Sequence, residues 1–225
     1  MINRDSFTVA ITGASTPELG LRLAEALLGG TAPSVNGGAA PSVNGVSPPR
    51  VSAVCDVHLI ITKSALAVIG YEITDGVGDP MTYVLSRLPK EGLHVYRDDR
   101  LDAPIASGTF QTGGMFIVPC SMKTLSGVAN GYSENLVQRA ADVTIKEGRR
   151  LVIAPREMPF SAIHLENMLK LARLGVIVAP PVAAFYTRPR NIHDMVDFFV
   201  GKLLDAMNIP HELFKRWGTN EGPPR

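Results

Sequence analysis

Apolar residues along this chain fall into short runs separated by longer amphipathic stretches, and the two periods alternate. Residues 7–12 (FTVAIT), 56–61 (DVHLII), 115–118 (MFIV), 151–154 (LVIA) and 176–179 (VIVA) read as strands buried on both faces, as in a parallel sheet. A shorter strand is expected at 94–96. Residues 18–28, 63–72, 80–88, 161–174 and 192–207 carry apolar positions at helical spacing, and a further helical region lies between the strands at 115 and 151. In 161–174, Ile163, Met168, Leu169 and Leu171 are available for burial. Strands alternating with helices predict the α/β class: a doubly wound parallel sheet in a three-layer sandwich of flavodoxin or Rossmann type. It should occupy residues 1–208, with 209–225 as a C-terminal tail.

Three segments break the pattern. Residues 29–50 contain APSVNG twice, at 32–37 and 40–45, and are rich in Pro, Gly, Ser and Asn. Such a stretch buries too little apolar surface to offset the cost of ordering it, so a mobile surface insert is expected. Residues 104–114 (PIASGTFQTGG) have the composition of a loop, read as a lid or a subunit contact. The tail holds the sole tryptophan, Trp217, expected to pack on a neighbouring segment or another copy of the chain.

Charge narrows the function. The formal net charge is +1 and no basic block occurs, which argues against nucleic acid as a partner but leaves room for a small phosphorylated ligand. Two cysteines, Cys55 and Cys120, fit a reducing compartment, and no apolar run reaches the ~20 residues of a membrane helix. A cytoplasmic protein without membrane contact is expected. No His, Cys and carboxylate cluster has metal-ligand spacing, so no metal is expected.

Candidate chemistry gathers after the strands. Gly13-Ala14-Ser15-Thr16-Pro17 is a tight turn between strand and helix, suited either to a mononucleotide phosphate or to an ordinary connection. The dinucleotide glycine fingerprint is absent, only Gly13 and Gly20 being present. Thr62 and Lys63 follow the second strand, where Thr62 taken alone suggests a helix cap. Ser121, Met122, Lys123 and Thr124 follow the 115–118 strand at a helix start, and Arg156-Glu157 follow the next. Two adjacent strands thus aim polar groups at one rim. For Lys146, Arg156 and Glu157 a structural ion pair is the alternative reading, and His164 reads as a surface or packing residue.

Several motifs in series carry a resemblance: Gly13-Ala14-Ser15, residues 119–124 (PCSMKT), Arg139-Ala140-Ala141-Asp142-Val143 with Lys146, Pro155-Arg156-Glu157, His164-Leu165 with Asn167-Met168, and Phe185-Tyr186. Together they resemble the UbiX/Pad1 flavin prenyltransferases over nearly the whole chain outside 29–50 and 74–101. The resemblance implies transfer of a dimethylallyl group from dimethylallyl phosphate to N5 and C6 of reduced FMN, with release of phosphate. The product, prenylated FMN, would serve a UbiD/Fdc-type decarboxylase. It implies a homo-oligomer, a dodecamer in the family, with FMN between subunits. By resemblance, Gly13, Ala14, Ser15, Thr62, Ser121, Met122, Lys123, Thr124 and Arg156 bind FMN. Tyr186, Lys202 and Lys146 hold the allylic phosphate, while Glu157, Lys146, Glu72 and Arg139 take part in catalysis.

Departures accompany the likeness. Thr16-Pro17-Glu18 stands where many relatives continue with small residues, Gln111 to Gly114 replaces a charged stretch, and Tyr71 and Ile73 flank Glu72 unusually. Each can tune the donor, for example diphosphate over monophosphate. Two alternatives remain: a flavin-dependent cysteine decarboxylase, whose Pro-Ala-Ser-Ala-Asn-Thr motif is missing, and a non-catalytic FMN carrier.

Overall fold

A computed structural model describes residues 6–29, 51 and 54–217. Residues 30–50, nearly all of the expected mobile insert, and 218–225 of the tail lie outside it.

Six strands form one parallel sheet in the order β3-β2-β1-β4-β5-β6. They are β1 (Ser6–Ile11), β2 (Asp56–Ile61), β3 (Leu93–Arg97), β4 (Gly114–Cys120), β5 (Arg150–Pro155) and β6 (Ile177–Val178). This order is the Rossmann arrangement, in which the winding reverses between β1 and β4 and leaves a crevice at their carboxyl ends. Strand residues alternate between two cores. Val9, Ile11, Phe116, Val118 and Val152 face α1 (Pro17–Leu27), α3 (Pro80–Arg87) and α7 (Ile192–Ala206). Ala10, Ile60, Met115, Ile117 and Ile153 face α4 (Met122–Ala129), α5 (Leu136–Lys146) and α6 (Ala162–Arg173). The expected three-layer sandwich is therefore present, with the helical region between β4 and β5 split into α4 and α5.

α2 (Lys63–Glu72) is placed differently. Instead of returning along the sheet it runs beside the β1–α1 turn. A Cβ on Gly13 would meet Ser64 near its start, and Glu72 at its end accepts a hydrogen bond from Thr16 N at 2.9 Å. Gly20 permits a second close approach: a Cβ there would lie 2.2 Å from Val118 O, so α1 can sit directly on β4.

Three packing expectations are corrected. On α6, Met168 and Leu171 are buried, but Ile163 is 68% and Leu169 50% exposed, because they point away from the sheet. The 176–179 run forms only a two-residue, half-buried strand, since as the sheet's last strand it has one neighbour. Residues 104–114 do not form a lid over the carboxyl rim within one chain. A 3-10 turn at Pro104–Ala106 is followed by a segment ending at the amino edge, where Gly113 N donates to Ser6 O at 2.7 Å.

Candidate flavin site at the switch point

Thr12 closes the bottom of the crevice. Its hydroxyl donates to Pro119 O and accepts from Ser121 N, both at 2.8 Å, tying the turn after β1 to the turn after β4. Ser121 caps α4 by accepting from Thr124 N at 3.3 Å and lies 3.0 Å from the Thr124 hydroxyl. The first N–H groups of α4 therefore face the crevice, as a helix N-terminus requires. Thr62 is buried and caps α2, accepting from Ala65 N at 3.0 Å, so the cap reading holds while the residue still lies at the rim.

α1 has no side-chain cap. Thr16, the residue before it, is left-handed at φ 72°, and its hydroxyl oxygen is buried with no hydrogen-bond partner among the described residues. An uncapped helix start beside an orphaned donor suits an anionic group. Ser15, half-buried, lies in the same turn. Arg156 anchors its backbone N to Cys120 O at 3.1 Å, and its exposed guanidinium makes no hydrogen bond or ion pair among the described residues. Lys123 is likewise exposed in the first turn of α4. Gly13, Ala14, Ser15, Thr62, residues 121–124 and Arg156 thus converge on one crevice with free donors and positive charge, which fits an FMN phosphate and ring edge. Cys120, beside it, is fully buried, and that burial pushes its thiol up to about 12, so it offers no thiolate nucleophile.

The other candidates divide. Glu72 reaches the rim through Thr16 N, and exposed Glu157 accepts from Met158 N at 3.1 Å. Tyr186 packs edge-on against Phe198 and Trp217, with centroids 5.9 and 5.6 Å away. Lys202, one turn along α7 from Phe198, lies 3.9 Å from Asp205. Lys146 is not brought to the rim in this chain. It ends α5, just before β5 begins, and pairs with Glu147 at 2.7 Å. Arg156 follows the other end of β5, so about 20 Å of strand lies between them. Arg139 is occupied with Ala106 O and Asp142, at 3.1 and 3.0 Å.

Two features escape sequence reading. Thr12 has only its place before Gly13 to mark it. Asp205 gathers His211 at 3.1 Å and Arg216 at 2.8 Å, folding residues 211–216 back on α7. Burial pushes the Asp205 carboxyl up, but Arg216 and His211 outweigh it and hold it below the usual range. His164 forms a capping box with Ser161, in accord with its surface reading.

The Flavoprotein family model matches residues 50–204. A flavin prenyltransferase UbiX of Halalkalibacterium halodurans is 43% identical over 94% of this chain and 93% of its own length. The crystal structure of AnUbiX (PadA1) in complex with FMN and dimethylallyl pyrophosphate has a TM-score of 0.79 and 35% identity, covering 97% of this chain and all of that one. A dodecameric FMN-dependent Ubix-like decarboxylase from Escherichia coli O157:H7 has a TM-score of 0.76 and 37% identity, covering 94% and 98%. With the crevice, these likenesses show that this chain belongs to the UbiX-type flavin prenyltransferases of the Flavoprotein family.

Proposed function

We propose that the chain transfers a dimethylallyl group from dimethylallyl phosphate to N5 and C6 of reduced FMN, supplying prenylated FMN to a UbiD-type decarboxylase. The supporting observation is the 43% identity to a flavin prenyltransferase across almost the full length of both proteins. Reduced FMN supplies the electron-rich N5 and C6; every other task falls to the protein.

The turn Gly13-Ala14-Ser15 with Thr62, residues 121–124 and Arg156 would hold the FMN, the uncapped start of α1 and the Arg156 guanidinium offering donors and positive charge to its phosphate. Tyr186 and Lys202 hold the donor phosphate, neutralising the charge that grows as its carbon–oxygen bond breaks. Lys146 serves the site of a neighbouring copy, since it lies at the opposite end of β5 from Arg156, and Arg139 acts with it; FMN held between subunits of a homo-oligomer accords with this. Glu157 donates or shuttles a proton at the departing phosphate. Glu72 positions the flavin turn through Thr16 N.

Anaerobic incubation with reduced FMN and dimethylallyl phosphate, or the diphosphate, tests the reading. A flavin one prenyl unit heavier, with stoichiometric release of phosphate or diphosphate, is expected; unchanged flavin with both donors would remove the transferase assignment.

A further inference from the structure

A cavity of about 600 Å³ lies on the α1/α7 side of the sheet, walled in part by the segment that follows β6. Leu19 of α1 and Ala154 of β5 form its inner end, and residues 179–184 with one face of α7 form its walls. Its lining is almost wholly apolar; the charged side chains are Lys202 and Asp205. Two links join it to the candidate site. Ala154 precedes Arg156 by two residues, and Leu19 lies in the first turn of the helix that follows Ser15. Phe198, in the wall, also supports the Tyr186 ring. The cavity therefore begins beside the pair assigned to the donor phosphate and runs inward toward the flavin turn.

A five-carbon chain underfills this space. At about 30 Å³ per methyl-sized group, five carbons need about 150 Å³ and ten need about 300 Å³. Lys202 at the edge is exposed, and its 3.9 Å contact with the half-buried Asp205, itself held by Arg216 and His211, is one that a phosphate can replace.

We propose that this cavity is the site for the chain of an allylic phosphate donor of ten carbons, its phosphate on Lys202 and Tyr186. The proposal rests on the donor reading above and extends it to the substrate class. The step balances as for the shorter donor. The allylic carbon–oxygen bond breaks with its electron pair on phosphate, carbon bonds form to N5 and C6, and the net proton released goes to the phosphate.

Calorimetric titration of the FMN-loaded protein with dimethylallyl phosphate and geranyl phosphate, followed by anaerobic reduction and mass measurement of the flavin, decides it. Geranyl phosphate should bind about tenfold more tightly or better, from the extra carbon buried, and yield a flavin carrying one ten-carbon group. Ala206→Phe, and separately Ala184→Leu, should erase that preference while leaving dimethylallyl binding within about threefold. Equal or weaker binding of geranyl phosphate overturns the proposal, as does tight binding without transfer while dimethylallyl phosphate reacts. Persistence of the preference in both variants overturns it too. Tighter, variant-sensitive geranyl binding with no adduct from either donor instead keeps the chain site and removes the transferase reading.

Discussion

Thr12, Thr62 and Ser121 illustrate what one hydroxyl does at the end of a buried strand. Each follows an apolar run, which marks it as a rim residue, yet their jobs differ: Thr12 joins two strands, while Thr62 and Ser121 cap helices. The sequence singles out Thr62 and Ser121 at the rim but not Thr12, whose partners lie more than 100 residues away. His58 makes the same point on the opposite core. It stacks on His94 at 4.8 Å, across from Tyr96 and Phe110, and its ring lies 3.1 Å from the Tyr96 hydroxyl. Burial, helped by His94, lowers its pKa from 6.5 to about 4. The unfolded chain therefore takes up a proton below about pH 6.5 that the folded chain refuses, so this contribution is complete above that pH and lost toward pH 4. Each unit is worth about 1.4 kcal/mol; with the exposed His94 side screened by water, about 2 kcal/mol is expected. Between pH 7.5 and 4.5 the unfolding free energy from urea titration should fall by that much more for the native chain than for His58→Gln.

At the scale of elements, α1 is the most constrained piece. It lies on β4 through Gly20 and is buried along nearly its whole length, Arg22 and Glu25 included. Arg22, 2% exposed, pairs with Asp197 of α7 at 2.7 Å, and Glu25 and Glu18 hold Arg87 of α3. A chain of charges thus fixes α1 between two helices directly under the flavin turn. Burial raises Glu25 despite Arg87, so removing that guanidinium leaves a poorly solvated carboxyl. Arg87→Met should cost about 3–5 kcal/mol in urea unfolding, as for a broken buried pair. A loss under about 1 kcal/mol would mean the network is already solvated. Helical period predicts α1, but nothing in its pattern says that Arg22 and Glu25 lie inside.

For the whole molecule, the exposed apolar residues say what one chain lacks. Ile163, Leu165 and Leu169 on α6, with Met158, Val182 and Phe185, leave a surface that a monomer rarely presents. Subunit contacts were expected at 104–114 and Trp217. Trp217 is largely exposed beside Tyr186, whereas Ile105 is buried within its own chain, so the α6 face is the stronger candidate. Its helical period looked like a core stripe, because a pattern marks which residues avoid water and not which chain covers them. Leu169→Glu should lower the assembly mass in light scattering without changing circular dichroism; an unchanged mass would exclude this face. Among the described residues no helix is long and apolar enough to cross a membrane.

Local physics made much of this protein legible in advance. The periods of 2 and 3.6, the turn at Gly13 and the polar groups after strands gave the class, most elements and the polar residues that end up along the rim, since each depends on neighbours in sequence. Strand order, and with it the crevice between β1 and β4, was decided by tertiary structure. So were the Thr12 clamp, the cavity between Leu19 and α7, and the placement of Lys146 some 20 Å from its supposed partners. Sheet pairing brings distant segments into register, and a residue's role depends on which end of its strand the fold turns toward the ligand.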